Sequence, residues 1–72
     1  MGENPIRVWR VNQGISLPEL ARRLGVSYVA YWRLEKGYNA GISAQVAAKL
    51  EKMGYPGNAA EEYKEWRGQF DS

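Results

Sequence analysis

Residues 16–37 decide the fold, and they read S-L-P-E-L-A-R-R-L-G-V-S-Y-V-A-Y-W-R-L-E-K-G. Ser16 with a glutamate three residues later forms a capping box, which is typical of a helix start. Gly25 and Gly37 suit the left-handed position that ends a helix, and Ser27 caps a second helix directly after the first. Two short helices joined by such a tight turn predict a helix-turn-helix.

Apolar residues in this stretch recur at helical spacing and mark the inward side of each helix. Ala21 and Ala30 are small, so they would let the two backbones approach each other closely. The predicted inward residues are Leu17, Leu20, Ala21 and Leu24 in the first helix, and Ala30, Tyr31 and Leu34 in the second.

The runs L-A-R-R-L-G-V-S at 20–27 and R-L-E-K-G at 33–37 together resemble the helix-turn-helix of phage Cro proteins and lambda-type repressors, the XRE-like family. The resemblance covers roughly residues 4–55. It implies an all-α, compact, five-helix, lambda-repressor-like domain that binds double-stranded DNA, usually as a dimer.

The sequence outside this motif predicts three further helices. Residues 5–13 follow an asparagine N-cap and have proline at the first helical position. Another helix begins after Ser43 and ends at Gly54, and the last covers about residues 58–70. We therefore expect residues 1–72 to form a single helix-turn-helix DNA-binding domain.

The resemblance assigns base reading to the second helix of the motif, at the positions Tyr28, Val29 and Arg33, with Trp32 beside them. An arginine can contact guanine through two hydrogen bonds, and a valine can pack on a thymine methyl group. Trp32 has two interpretations that the sequence does not separate. It lies against the sugar-phosphate wall of the DNA, or it packs on a later helix of the protein.

The resemblance also implies contacts to DNA phosphates from helix starts and from the loop after the second helix of the motif. Leu17 stands where the family often has glutamine, which suggests that backbone N–H groups at that helix start bind phosphate instead. The family pattern further implies a structural ion pair between Arg10 and Glu35. The expected phosphate contacts are Ser16, Leu17, Ser27, Lys36, Tyr38 and Asn39.

Tyr63, Trp66 and Phe70 form an aromatic stripe on the last predicted helix, at spacings of three and four residues. Such a stripe has two interpretations. It completes the core of one chain, or it forms a contact between two copies, because exposed aromatic stripes tend to mark interfaces.

Composition argues against several other functions. The chain has 72 residues, no cysteine and no histidine, so the commonest general base, zinc ligands and thiol nucleophiles are missing. We expect no enzyme activity, no cofactor, no metal site and no small-molecule ligand. No apolar run approaches the ~20 residues that cross a membrane, and the N-terminus lacks the apolar segment of a signal peptide. A cytoplasmic protein, in a bacterium or a phage-infected host cell, is the expectation.

Charge is distributed unevenly along the chain. The net charge is +2, yet residues 1–55 carry eight basic and four acidic side chains, whereas residues 56–72 carry two basic and four acidic ones. A basic body suits a polyanion such as DNA, although a solvated surface would also explain it.

These observations predict a sequence-specific regulator of transcription, a small phage or bacterial repressor that acts as a homodimer on a pseudo-palindromic operator. The alternative is a protein-interaction module, such as an antitoxin or a repressor antagonist, that uses the aromatic face of the third and fifth helices. A DNA-binding fragment of a longer regulator is a third interpretation.

Overall fold

The computed structural model describes residues 2–69, and within that range the regular structure is entirely α-helical. The predicted all-α fold with five helices is confirmed. Phe70, at the end of the predicted aromatic stripe, lies outside the described residues. The helices are α1 (Pro5–Asn12), α2 (Leu17–Leu24), α3 (Tyr28–Lys36), α4 (Ala44–Lys52) and α5 (Ala59–Gly68).

Every helix begins with a side chain that caps it. The cap oxygen accepts a hydrogen bond from a backbone N–H of the first turn, which has no partner within the helix. Replacing one such residue by alanine costs about 1 kcal/mol. The caps are Asn4, Ser16, Ser27, Ser43 and Asn58.

Four helices end in the same way, through a glycine with a left-handed backbone. Their φ angles range from 71° to 107°. The residue after each glycine, which we call the closing residue, donates its N–H to a carbonyl five residues earlier. This is the Schellman motif, which usually brings the closing residue into apolar contact with the last helical turn. The glycines are Gly14, Gly25, Gly37 and Gly54, and the closing residues are Ile15, Val26, Tyr38 and Tyr55.

One hydrophobic core joins all five helices. Full burial of a large apolar side chain contributes about 1.5–3 kcal/mol, so this core is the main source of stability. Ala30 is exposed, so its predicted inward position is wrong; the inner side of α3 instead consists of Tyr31, Leu34 and Glu35. The largest fully buried side chains are Tyr31, Tyr63, Ile6, Leu20, Leu24 and Leu50.

The aromatic residues of α5 belong to this core. Tyr63 is fully buried and Trp66 is 7 % exposed, with their ring centroids 5.5 Å apart. Because α5 packs against both α1 and α4, this side of the helix is covered within one chain. Neither ring is exposed for contact with a second copy, which corrects the dimer interpretation for these two residues.

Within residues 2–69, none of the helices combines the length and the apolar character that crossing a membrane requires.

Candidate nucleic-acid interface

The two sides of α3 differ sharply in exposure. Tyr31, Leu34 and Glu35 face the core. Tyr28 and Val29, the first two residues of α3, are 53 % and 56 % exposed. Since residues four apart lie on the same side of a helix, Tyr28, Trp32 and Lys36 form one row, and Val29 and Arg33 form the next. We call this surface the outer face of α3: Tyr28, Val29, Trp32, Arg33 and Lys36.

A buried ion pair holds the inner side of α3 against α1. Arg10 Nε lies 2.5 Å from Glu35 Oε2, and its Nη2 donates to Glu35 Oε1 at 3.2 Å. The remaining Nη1 donates to the carbonyl of Ile15 at 2.8 Å. The hydrogen bonds that Arg10 donates to the Glu35 carboxylate raise the pKa of Arg10 above its usual value. Removing one partner would cost about 3–5 kcal/mol, because the other charge would stay buried and unpaired.

Two side chains bind carbonyls at the end of α3 and in the loop after it, where few intrahelical donors are left. Asn4 Nδ2 donates to the carbonyls of Leu34 and Glu35, at 3.4 and 3.2 Å. The Tyr63 hydroxyl donates to the carbonyl of Leu34 at 2.9 Å and to that of Asn39 at 3.1 Å. The outer face of α3 is therefore carried by a helix that is fixed at its C-terminal end.

Asn4 and Tyr63 are the residues of this region that sequence reasoning missed. The sequence identifies Asn4 as an N-cap, and its Oδ1 does accept the Ile6 N–H at 2.9 Å. The Nδ2 atom of the same amide group also donates to a carbonyl of α3, about thirty residues away in the sequence. A sequence pattern contains no signal for such a contact.

The charged groups of the outer face lack acidic partners. Within residues 2–69, neither Arg33 nor Lys36 forms a salt bridge. By contrast, Arg22 and Arg23 on α2 both contact the carboxylate of Glu19, and these contacts lower the pKa of Glu19. The cations that remain available to an external anion are thus concentrated on α3 rather than on α2.

The ring of Trp32 contacts the loop that follows α3. Its ring centroid lies 5.7 Å from that of Tyr38, with a tilt of 38° between the planes. The ammonium group of Lys36 lies 6.0 Å from the Trp32 ring centroid. Trp32, Arg33, Tyr38 and Asn39 line an open depression of about 390 Å³. Both interpretations of Trp32, against the sugar-phosphate wall or on a later helix, stay predictions.

The starts of α2 and α3 offer different numbers of backbone donors. The Ser16 hydroxyl accepts the N–H of Glu19 at 3.3 Å, and Pro18 has no N–H. Only the N–H of Leu17 is then left at the start of α2. The side chain of Leu17 packs against the core, so its phosphate contact is restricted to the backbone.

At the start of α3, the Ser27 hydroxyl accepts the N–H of Ala30 at 3.1 Å. The N–H groups of Tyr28 and Val29 precede the first intrahelical bonds and point out of the helix start. Together with the positive end of the helix dipole, they form an anion-binding position. The start of α3 is therefore the stronger of the two candidate phosphate positions.

Geometry suited to a metal ion does not occur in the described part of the chain, where no three acidic side chains come together.

Comparison with known proteins gives one result. A protein-family model described as helix-turn-helix matches residues 6–53, which contain α1 except Pro5 and the whole of α2 to α4, and therefore the whole outer face of α3. The comparisons with curated proteins and with solved structures give no significant match.

Proposed function

We propose, on the premise that this chain belongs to the helix-turn-helix family of the XRE and lambda-repressor type, that it regulates transcription by binding a specific duplex DNA sequence. The family is one of DNA-binding regulators. The observation that supports the proposal best is the outer face of α3. It combines exposed Tyr28 and Val29 with Arg33 and Lys36, which form no salt bridge within residues 2–69, on a helix whose end is held by Tyr63.

In this proposal α3 lies in the major groove. Arg33 donates two hydrogen bonds to O6 and N7 of a guanine, which is worth about 1–3 kcal/mol of discrimination against other bases. Val29 packs on a thymine methyl group, and Tyr28 contacts a base edge next to it. Trp32 lies on the same face, toward the end of α3 that adjoins the loop.

Phosphate contacts position the helix in the groove. On one side of α3 they come from Ser16, Ser27 and the N–H of Leu17. On the other side they come from Lys36 and Asn39, and Tyr38 in the loop after α3 adds to the same contact region. Lys36 lies four residues after Trp32, in the last turn of α3, so its charge reaches the DNA where the helix leaves the groove.

We further propose that two copies bind together on a pseudo-palindromic operator. Two recognition helices would then lie about one turn of DNA apart, roughly 34 Å. The surface that joins the copies is not the aromatic side of α5, because that side is buried. Repression in a phage or a bacterium is the biological setting that we propose for this binding.

Selection of bound duplexes from a random DNA pool tests the proposal. It should be carried out at about 0.15 M salt, where purely electrostatic binding is weak. We expect one enriched sequence with two-fold symmetry. A single enriched half-site would contradict the proposed dimer but would still support sequence-specific binding. A pool without enrichment would contradict the proposed function.

A protein-interaction module is the second candidate, because exposed tyrosine and arginine residues are also preferred at protein interfaces. Tyr28 and Tyr38, exposed near Arg33, are the observation that favours it. The α5 part of that surface is buried, so only the outer face of α3 and the loop would take part. Strong binding to a protein, together with a random pool that shows no enrichment, would support it.

A further inference from the structure

We infer that the rings of Trp32 and Tyr38 form an apolar contact to the deoxyribose groups of one DNA strand, beside the groove in which α3 lies. This inference rests on the proposed function and refines it. The sequence alone suggests that Tyr38 contacts phosphate, whereas here its ring, not its hydroxyl, makes the main contact. We call Trp32 and Tyr38 the ring pair.

The repeated helix ending shows that Tyr38 differs from the equivalent residues elsewhere in the chain. Of the four closing residues, Ile15 and Val26 are partly buried against the core, and Tyr55 is 6 % exposed. Tyr38 forms the same backbone hydrogen bond, from its N–H to the carbonyl of Arg33 at 3.0 Å. Its side chain is nevertheless 68 % exposed.

The Schellman motif does not explain why the Tyr38 side chain is exposed. Its apolar contact is satisfied when the closing residue covers the last turn, as Tyr38 does by contacting Trp32. The other side of the tyrosine ring is left open to solvent. Trp32 and Tyr38 thus leave a joint aromatic surface next to the outer face of α3, and exposed apolar patches tend to mark interaction sites.

The surroundings of the ring pair match the backbone of a nucleic acid strand. Along such a strand, charged phosphates alternate with the apolar faces of the sugars. The ring pair supplies an apolar surface. Lys36 Nζ lies 6.0 Å from the Trp32 ring centroid, and Asn39 lines the same depression as the two rings. A cation, an apolar surface and an amide residue near one another suit the charged phosphates and apolar sugars of a strand.

The ring geometry disfavours a base inserted between the two rings. The rings contact each other, with centroids 5.7 Å apart, so they leave no space for a base between them. The loop is also fixed by the hydrogen bond from Tyr63 to the carbonyl of Asn39. The rings therefore present a preformed surface.

Two substitutions separate the ring from the hydroxyl. Binding to the selected duplex should weaken by about tenfold in Tyr38→Ala, because the apolar contact is lost. It should change by less than about twofold in Tyr38→Phe, which keeps the ring. Val11→Ala is the matched control, since Val11 is a 51 % exposed apolar residue on α1, away from this surface. Thermal unfolding of each variant confirms that it is folded.

Salt dependence separates the sugar from the phosphate. An apolar contact releases no counterions, so Tyr38→Ala should weaken binding by the same factor at about 0.05 M and 0.2 M salt. Abasic analogues, placed one at a time in the selected duplex, separate the sugar from the base. The ratio of wild-type to Tyr38→Ala affinity should persist at every position.

Several results would overturn the inference while the proposed function stands. With specific binding retained, the first is an equal loss of affinity in Tyr38→Phe and Tyr38→Ala, and the second is wild-type affinity in Tyr38→Ala. The third is a salt dependence of binding that differs between Tyr38→Ala and wild type. The fourth is an abasic position at which wild type and Tyr38→Ala bind with equal affinity. If no duplex is enriched, the proposed function fails and the inference fails with it. In that case, a protein that binds wild type and not Tyr38→Ala would identify the ring pair as a protein contact.

Tryptophan fluorescence gives an independent measurement. Trp9 and Trp66 are buried, whereas Trp32 is only half-buried. The emission of Trp32 should change when the selected duplex binds, and Trp32→Phe should abolish that change while keeping most of the affinity. An emission change of the same size in Trp32→Phe would contradict the assignment.

Discussion

The third and fifth helices carry similar aromatic residues that have opposite environments. In α3, Tyr28 is more than half exposed and Trp32 is half-buried, whereas Tyr63 and Trp66 in α5 are buried. Spacing does not explain this difference, since Tyr28 and Trp32 are four residues apart and Tyr63 and Trp66 are three apart, and both spacings place a pair on one side of a helix. The neighbouring helices explain it. Helices α1 and α4 cover the aromatic side of α5, whereas within residues 2–69 the outer face of α3 stays largely exposed. Periodicity therefore identifies residues that share a side, and packing decides which side is covered.

The largest expected effect is on stability. Tyr63→Ala should lower the free energy of unfolding by about 3–5 kcal/mol, because it leaves a cavity in the core and removes the hydroxyl from two carbonyls. Tyr28→Ala should change it by less than about 0.5 kcal/mol. Denaturant-induced unfolding of both variants measures the difference. Similar losses in the two variants would contradict the contrast between the helices.

The second effect is on sequence discrimination. Arg33→Ala should reduce the preference for the selected duplex over an unrelated one by about 1–3 kcal/mol. Its free energy of unfolding should stay close to that of wild type, because the side chain is exposed. Competition binding with the two duplexes measures this preference. An equal loss of affinity on both would remove Arg33 from base reading.

The third effect concerns pH. Burial raises the pKa values of Tyr31, Tyr55 and Tyr63 above the ordinary value of 10.0, with a further contribution from Glu35 at Tyr31 and from Glu62 at Tyr55. In the unfolded chain these phenols ionise near pH 10, and in the folded chain only at higher pH. The contribution of these phenols to stability is therefore fully present below about pH 10. Above that pH the free energy of unfolding falls, by up to about 1.4 kcal/mol per pH unit for each phenol.

Unfolding measured between pH 8 and pH 11 tests this expectation, with Tyr63→Phe as the variant that removes one of the three phenols. The decline should be shallower in Tyr63→Phe than in wild type. A stability that stays constant up to about pH 11 would show that these phenols do not remain protonated in the folded chain.

The smallest effect is on electrostatics. Lys36→Ala should reduce the slope of log affinity against log salt by about 1, which corresponds to roughly a fourfold change in relative affinity between 0.05 M and 0.2 M salt. The choice of sequence should not change. Lys64→Ala, on α5, is the matched control. An unchanged slope in Lys36→Ala would mean that Lys36 binds no phosphate.

Local signals made most of the fold predictable. Cap residues marked the helix starts, and glycines marked four of the ends, because both act on backbone groups only a few residues away. The sequence did not predict that Tyr55 is buried or that Lys49 Nζ binds the carbonyl of Leu24 at 3.1 Å. These contacts depend on how the helices pack. The exposure of Ala30 has the same origin, since an alanine at helical spacing fits either side.

The candidate site was predictable to a similar extent. The resemblance identified Arg33 and Lys36 as residues of the outer face of α3. The contact between Trp32 and Tyr38 was not predicted, because it depends on the loop conformation that follows Gly37. The hydrogen bonds from Asn4 and Tyr63 to the carbonyl of Leu34 were not predicted either, since they join residues about thirty positions apart in the sequence.

The central claim is that the outer face of α3, and not α5, contacts the functional partner. Amide chemical shifts, measured by NMR during titration with the selected duplex, test it most directly. We expect the largest changes at residues 27–39 and at the start of α2, with small changes along Ala59–Gly68. Changes concentrated in α1 and α5, with α3 unaffected, would contradict the account.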